Sequence, residues 1–420
     1  MGTLPSFPEL LEAARGLHAL TRGFGWSERR AAVVAWAERW QRPEEHFPDH
    51  LDTLARASGL SRPMVVWAAR TTCATLTPEA IDAWVATAVE GPPSRLDGGT
   101  VRGLPLVGHV WASTLPTSGW LPTIGSLLLG SSVVVKSSLR TDGLATVFAS
   151  SLHSIERRWM GRVLATTWGR SVGTDADLVA GIDGLVVSGG HDAMAAFAAH
   201  VASRPGGPIP YVPFGPGHSL AVVPAAALAS EDPARLAAAV ALDVAAYDQQ
   251  GCLSPRAVWV EGTLPEARAL AARLADALTA LAVELPRGEV SEGAAAAIMQ
   301  RVGAAHFVGE VFDARDGAVM VEPEPTGEPN PLYRTVPVHL YTGGPSGLAA
   351  ALAASGQADE RLHALGVAGG DHVRGEYVGL AMQRRASRVC APGTMQTPPL
   401  GWHHDGLSWL GQLARFVDLG

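Results

Sequence analysis

The spacing of apolar side chains changes near residue 100. Before that point they recur every three or four residues, which is typical of amphipathic helices. The two clearest faces are Leu10, Leu11, Ala14, Leu17 and Leu20, followed by Val33, Trp36, Ala37 and Trp40. Ser27 is placed as an N-cap, and Thr77-Pro78-Glu79 combines a cap, a proline at the first helical position and an acid in the first turn. Residues 1–95 are therefore predicted to form a helical N-terminal region.

Short apolar runs alternate with helical stretches from about residue 100 onwards. The strand-like runs are 107–112, 132–136, 162–167, 184–188 and 219–223, and the helical stretches are 116–130, 141–157 and 190–203. This alternation predicts right-handed βαβ crossovers and a largely parallel sheet covered on both faces. We expect it to form one domain over residues 96–235.

A second α/β domain is predicted over residues 236–395. Its expected elements are a helix that starts at Pro233, a strand at 257–260, a helix at 264–283, and strands near 307–321 and 334–341. Asp316-Gly317 predicts a hairpin turn. Residues 396–420 are expected to form a tail that packs back on the core.

Composition narrows the class of protein. The 420 residues are 47% hydrophobic and 17% charged, which argues against disorder. A net charge of −8 without a basic run argues against a nucleic-acid partner. No apolar run approaches the ~20 residues needed to span a bilayer, and the first six residues lack the basic and apolar segments of a secretory leader. We therefore expect a cytoplasmic protein.

Cys252 has the most informative surroundings of the three cysteines. It lies in Asp248-Gln249-Gln250-Gly251-Cys252-Leu253-Ser254-Pro255, a polar segment between a predicted helix and a predicted strand. Loops held by such elements often carry reactive groups, although a buried packing cysteine is an equally open interpretation. Cys73 and Cys390 are distant in sequence and no CxxC pair exists, so neither a disulfide framework nor a structural metal site is predicted.

Lys136 and a glycine pair mark the ends of two predicted strands. Lys136 is the only lysine in the chain and follows Val133-Val134-Val135. It is interpreted either as an ammonium donor for a cofactor ribose or phosphate, or as a solvated strand end. Ser188-Gly189-Gly190 ends another strand. Ligands of parallel sheets bind outside such carboxyl ends.

Several other signatures are missing or weak. The dinucleotide pattern GxGxxG is absent, because Gly215-Pro216-Gly217 lacks the third glycine and a following helix. The phosphate-binding pattern GxxxxGK[ST] does not occur. His191, His218 and the sequence His403-His404-Asp405 are interpreted as structural or surface groups, and no metal is predicted.

The motifs taken in order resemble the LuxC-type acyl-CoA reductase family, a branch of the aldehyde dehydrogenase superfamily, from about residue 100 to the end. They are Gly108-His109-Val110, Val133-Val134-Val135-Lys136-Ser137-Ser138, Asp183-Gly184-Leu185-Val186-Val187-Ser188-Gly189-Gly190, Phe214-Gly215-Pro216-Gly217-His218-Ser219, the cysteine segment, Arg334-Thr335-Val336 and His404-Asp405-Gly406. The resemblance implies an aldehyde-dehydrogenase-like α/β fold, with a parallel-sheet cofactor domain and a second α/β catalytic domain.

The resemblance also implies an activity: NAD(P)H-dependent reduction of an acyl thioester to the aldehyde. Cys252 matches the family's nucleophile, which forms a thioester acyl-enzyme. Lys136 matches the residue that holds the adenosine ribose or phosphate of NADPH or NADH, and Ser188, Gly189 and Gly190 match the turn near the pyrophosphate. The implied partners are acyl-CoA or an acyl-carrier or acyl-protein thioester, and a homo-oligomer is expected by analogy.

Two departures from the family pattern concern catalysis. Gly108-His109 stands where the family usually has Gly-Asn, whose amide helps the backbone N–H of the cysteine hold the oxyanion. His109 is therefore predicted as a catalytic residue in that place, with a different donor geometry. Hydrolytic members of the superfamily carry a glutamate where this chain has Pro213-Phe214-Gly215-Pro216, and a missing acid fits a reductase, which must not activate water.

Three alternatives stay open. The chain could be a CoA-acylating aldehyde dehydrogenase that runs in the oxidative direction. It could be a non-catalytic homologue that binds cofactor or serves as a scaffold, which the change at His109 would suit. It could also be a thioester hydrolase or acyltransferase that uses Cys252 without redox chemistry.

Overall fold

The computed structural model describes residues 6–20, 23–112, 115–169, 171–325, 330–356 and 361–418. Packing divides the chain into two units. Unit 1 comprises Met1–Ser58, Val65–Gly215 and Pro399–Gly420, and unit 2 comprises Gly59–Met64 and Pro216–Pro398. Residues 1–5 of the predicted helical region and residues 419–420 of the predicted tail lie outside the described residues.

The helices and strands alternate as expected after a helical N-terminal region. The helices are α1 (Phe7–Leu20), α2 (Trp26–Trp40), α3 (Pro43–His46), α4 (Pro48–Ser58), α5 (Arg62–Ala74), α6 (Pro78–Ala88), α7 (Trp120–Leu128), α8 (Leu144–His153), α9 (Val172–Gly181), α10 (His191–Ala202), α11 (Ala225–Ser230), α12 (Pro233–Ala245), α13 (Leu264–Glu284), α14 (Glu292–Val308), α15 (Gly344–Ala354), α16 (Asp371–Glu376) and α17 (Val378–Gln383). The strands are β1 (Val101–Gly103), β2 (Leu106–Val110), β3 (Ser132–Ser137), β4 (Val163–Thr167), β5 (Gly184–Ser188), β6 (Tyr211–Phe214), β7 (His218–Val223), β8 (Pro255–Glu261), β9 (Glu310–Ala314), β10 (Gly317–Val321), β11 (Thr335–Tyr341), β12 (Leu362–Val367), β13 (Arg388–Cys390) and β14 (Ala414–Phe416).

Of the two N-caps predicted in the N-terminal region, one is confirmed and one is wrong. Thr77 accepts a hydrogen bond from the Ala80 backbone N–H at 3.2 Å, as predicted for the start of α6. The N-cap predicted at Ser27 is wrong, because α2 begins at Trp26 with the extended Gly25 as its cap. The Glu28 carboxylate accepts from the Gly25 N–H at 3.0 Å and satisfies this end of the helix.

A five-stranded parallel sheet forms the centre of unit 1, with strand order β4-β3-β2-β5-β6. The order reverses between β2 and β5, as in doubly wound folds, and the crevice at that point is where such sheets bind ligands. Gly108 in β2 permits close packing of the residue that follows α9, since a Cβ there would lie 2.7 Å from Ile182 Cδ1. The largely parallel sheet predicted after residue 100 is confirmed.

The seven-stranded sheet of unit 2 has the order β13-β12-β7-β8-β11-β10-β9. Its pairs are parallel except for β9 with β10, which form the hairpin predicted at Asp316-Gly317. Asp316 has a φ of 66° in that turn. The strand predicted to begin near 307 is wrong at its start, because residues up to Val308 belong to α14.

The division of the chain differs from the predicted boundary at 235. Strand β7 pairs with β8 and β12, so it belongs to the sheet of unit 2, and the units separate at Gly215. In unit 1, β14 of the tail pairs antiparallel with β1, with Val101 opposite Phe416. Among the described residues, no helix has the length and apolar character needed to cross a membrane.

Candidate active site

Cys252 lies on the loop between α12 and β8, in unit 2. It is exposed, whereas Cys73 is buried and Cys390 is partly buried. Burial raises the pKa of the Cys73 thiol and of the Cys390 thiol, which makes both poor nucleophiles at neutral pH. Of the three sulfurs, the one in Cys252 is therefore the accessible candidate for reaction with a substrate.

The loop that carries Cys252 begins with three consecutive left-handed residues. Tyr247, Asp248 and Gln249 have φ values of 54°, 52° and 63°, and all three side chains are buried. This conformation costs a residue with a side chain about 1–2 kcal/mol, so it persists only where the surroundings fix it. Gln249 Nε2 donates to the Pro255 carbonyl at 2.9 Å, which joins the two ends of the loop.

A buried ion pair fixes the same turn. Asp248 Oδ1 accepts from Arg334 Nε at 3.0 Å and from Nη2 at 2.7 Å, and both side chains are at most 1% exposed. The second oxygen, Oδ2, accepts from the Gly288 N–H at 2.9 Å. Burial raises the pKa of Asp248, and Arg334 acts in the opposite direction. The Tyr333 N–H donates to the Asp248 carbonyl at 3.1 Å, so the pair holds backbone as well as side chain.

Lys136 is at the carboxyl end of β3, in unit 1. Its Nζ lies 5.1 Å from the centroid of the Trp168 ring, a cation–π contact, and Trp168 Nε1 donates to Asp175 Oδ1 at 2.7 Å. Lys136 is partly buried, and this burial lowers the pKa of its ammonium, with Asp175 acting in the opposite direction. The ammonium is thus placed beside an aromatic ring, which suits a cofactor with a ribose or phosphate group.

Ser188, Gly189 and Gly190 join the carboxyl end of β5 to the start of α10. Gly190 is the N-cap of this 12-residue helix, and as a glycine it has no side chain to cap it. A Cβ at Gly190 would meet nothing within 4 Å, so the helix start is open. Helix N-termini attract phosphate groups. The residues present therefore fit the pyrophosphate of a dinucleotide, and they lie at the same edge of the sheet as Lys136.

His109 is the fourth of the five residues of β2 and is 1% exposed. Its Nε2 lies 2.9 Å from Ser126 Oγ on α7, and Nδ1 has no hydrogen-bond partner in the described part of the chain. Burial lowers the pKa of His109 to about 3, so the ring is neutral at neutral pH. These observations favour a packing role over the predicted donor role, which stays a prediction.

His404 and Asp405 of the tail have structural contacts in unit 1. The His404 ring stacks on Phe214 at 4.3 Å and on Trp402 at 4.8 Å between centroids. Asp405 Oδ2 accepts from the Gly215 N–H at 3.1 Å. Asp405 has a φ of 58°, which this hydrogen bond helps to hold.

The sequence motifs indicated the Cys252 loop but not the buried groups that support it. Asp248 and Arg334 belong to two different motifs and are 86 positions apart in the sequence. Both residues lie in recognisable motifs, but no spacing rule predicts that they form a contact.

The fold is similar to that of aldehyde-dehydrogenase-like proteins. Among solved structures, a bifunctional proline utilization A (PutA) protein is 17% identical, with a TM-score of 0.72 over 99% of this chain and 45% of that one. A putative aldehyde dehydrogenase PutA from Anabaena variabilis is 17% identical, with a TM-score of 0.68 over 98% and 92%. An oxidoreductase from Marinobacter aquaeolei is 12% identical, with a TM-score of 0.73 over 99% and 92%.

The sequence itself matches the family model described as Acyl-CoA reductase (LuxC) over residues 31–416. The chain belongs to this family, which confirms the family resemblance. Among curated proteins, none matches the sequence. The family and the fold together support an oxidoreductase that acts on acyl or aldehyde groups and imply a nicotinamide cofactor.

Proposed function

We propose that this protein reduces an acyl thioester, either acyl-CoA or an acyl-protein, to the aldehyde, with NADPH or NADH as reductant and Cys252 as nucleophile. The observation that carries the proposal is the exposed thiol of Cys252 on a loop whose buried half is fixed by Asp248 and Arg334. A nucleophile needs an accessible atom on a rigid support. Membership in the acyl-CoA reductase family supports the choice of a thioester substrate.

The first step is acyl transfer. The Cys252 thiolate attacks the carbonyl carbon of the thioester, a new C–S bond forms, and the carrier leaves as its thiolate, which takes a proton from solvent. The acyl group is then held on the loop that precedes β8. Pro213-Phe214-Gly215-Pro216 contributes no carboxylate that could activate water, so the acyl-enzyme is protected from hydrolysis by that route.

The second step is reduction of the acyl-enzyme. A nicotinamide, when bound, would supply the hydride for the thioacyl carbon. The hemithioacetal alkoxide on Cys252 would then break its C–S bond and release the aldehyde, leaving the Cys252 thiolate. Lys136 would hold the adenosine ribose or phosphate, and Ser188, Gly189 and Gly190 would hold the pyrophosphate at the start of α10.

The donor role predicted for His109 can be tested by itself. Loss of an oxyanion donor costs ~100- to 1,000-fold in turnover, so His109→Phe would show that loss if the ring binds the oxyanion. A ring that only packs against Ser126 would leave turnover within a few fold and lower the stability of the protein instead. Turnover and the urea midpoint, measured on the same preparation, distinguish the two roles.

The experiment that tests the proposed function is direct. Purified protein is given a series of saturated acyl-CoAs with NADPH or NADH, cofactor oxidation is followed by the absorbance of the reduced nicotinamide, and aldehyde is trapped. We expect aldehyde in amounts equal to the cofactor consumed. Carrier release without cofactor oxidation would contradict the proposal and indicate a hydrolase.

A further inference from the structure

We propose that Ser219 and Gln396 are positioning residues that hold the Cys252 loop from two sides. This inference rests on the proposed function, since it takes Cys252 as the nucleophile. Both residues belong to unit 2, as does the loop itself. Each makes side-chain hydrogen bonds to the loop, and neither side chain would touch a substrate on this account.

Ser219 fixes the peptide group of the nucleophile itself. It lies in β7 and is 0% exposed, and its Oγ donates to the Cys252 carbonyl at 2.8 Å. The same oxygen accepts from the Ala364 N–H of β12 at 3.1 Å. Because the Ala364 N–H takes an acceptor position, the single hydroxyl proton is directed at the carbonyl of Cys252. The nucleophile is thereby tied to β7 and β12, two neighbouring interior strands of the seven-stranded sheet.

Gln396 fixes the other side of the loop. Its Nε2 donates to Ser254 Oγ at 3.1 Å and to the Asp243 carbonyl at 3.3 Å. A Cβ on Gly251 would lie 3.1 Å from Ser254 Oγ and 3.4 Å from Gln396 Oε1, so the loop, Ser254 and Gln396 pack closely. The residues on both sides of Cys252 are therefore held against this amide.

The segment that carries Gln396 is itself anchored. The Asp243 carboxylate accepts from the Gly393 N–H at 2.5 Å and from the Met395 N–H at 3.0 Å, and the Asp243 side chain is 1% exposed. Burial raises the pKa of Asp243 to about 7. The segment that carries the Gln396 amide is thus anchored to α12, the helix that leads into the loop.

This arrangement fixes the backbone of Cys252 while the residue remains exposed. Attack on a carbonyl carbon requires the sulfur at a set distance and angle, and a misplacement of about 1 Å can cost ~100-fold in rate. Alkylation of a thiol by a small reagent depends much less on the distance and angle of the sulfur. A positioning role therefore predicts different effects on the two reactions.

The test compares Ser219→Ala with wild type in those two reactions. Single-turnover acylation of Cys252 by excess saturated acyl-CoA is followed by intact mass, and alkylation by iodoacetamide is followed in the same way. We expect acylation to fall at least ~10-fold and alkylation to change less than about twofold, with Ser219→Thr close to wild type because it keeps the hydroxyl. Ser355→Ala, which removes a hydroxyl bonded to the Leu352 carbonyl on α15, is the matched control.

The outcomes separate a failure of the positioning role from a failure of the proposed function. Should Ser219→Ala not fold, Gln396→Ala takes its place, with exposed Gln383→Ala as control. Acylation at the wild-type rate, or an equal fall in acylation and alkylation, would refute positioning while leaving the proposed function in place. Wild-type protein that is alkylated at Cys252 but never acylated would instead refute the proposed function, and the positioning role with it.

Discussion

Cys252 is accessible, and the residues that support it rigidly come just before it in the sequence. The cysteine is exposed, while Tyr247, Asp248 and Gln249 just before it are buried in a left-handed conformation. Exposed loops usually move, and a moving nucleophile seldom holds a reactive geometry. Burying the first half of the loop lets the second half stay open without that mobility.

Lys136 gives the first prediction at this scale. If its ammonium binds the cofactor, Lys136→Met removes a hydrogen bond to a charged or polar group, worth about 1.5–3 kcal/mol. We expect the Kd for the reduced nicotinamide to rise at least ~10-fold with little change in stability. Fluorescence titration of the bound cofactor measures this change. Lys136→Arg keeps the positive charge, so the two variants together separate charge from geometry.

At the scale of elements, the Asp248–Arg334 pair connects the turn before Cys252 to the residues that lead into β11. Asp248→Asn would leave the Arg334 guanidinium buried without its counter-charge, which typically costs 3–5 kcal/mol, an order-of-magnitude figure. We expect the free energy of unfolding, measured with urea, to fall by about that amount.

The matched control for that prediction is an exposed ion pair. Arg42 and Glu45 are 3.2 Å apart, with side chains 63% and 61% exposed. Glu45→Gln should change stability by less than about 1 kcal/mol, because water screens such pairs. Equal effects at Asp248 and Glu45 would show that the buried pair does not hold the loop.

Sequence patterns predicted elements better than they predicted contacts. Strands 132–136 and 184–188 lie where their apolar runs indicated, because burial on both faces leaves a continuous apolar signal. The run 162–167 also forms a strand, although β4 is an edge strand and is only partly buried. The sequence pattern does not predict helix α14, because its apolar residues do not form one face. Phe307 on this helix is 90% exposed. Its alanines fit neither the helical nor the strand period clearly.

At the scale of the whole molecule, the predicted α/β fold is confirmed, but the assignment of β7 to the first sheet was wrong. The run 219–223 continues the alternation of strands, so nothing in its apolar pattern separates it from the strands before it. Its partners β8 and β12 are fixed by packing across distant segments. Likewise, Ser219 was visible in a motif, but its bond to the Cys252 carbonyl could be seen only in the fold.

Because His109 is buried as a neutral ring, we expect the free energy of unfolding to depend on pH. Its pKa is lowered to about 3 in the folded protein, against 6.5 as the ordinary value. Between those two values the unfolded chain binds the extra proton, so stability falls as the pH falls through this window, by about 1.4 kcal/mol per pH unit for one such group. His109→Asn should remove that contribution and flatten the dependence.

Urea unfolding at several pH values from 7 to 4, followed by tryptophan fluorescence, measures the slope. His372→Asn is the control, because the side chain of His372 is 94% exposed. We expect the slope of the His372 variant to equal that of wild type. Identical slopes for the His109 variant and wild type would contradict the burial of a neutral ring.

The measurement that tests the account most directly is covalent labelling by radiolabelled acyl-CoA in the absence of nicotinamide. The account predicts about one acyl group per chain, bound through a thioester that hydroxylamine cleaves. Cys252→Ala should carry none, and Cys390→Ala, at a partly buried thiol, should carry as much as wild type. Label retained on the Cys252→Ala protein would contradict the central claim that this sulfur accepts the acyl group.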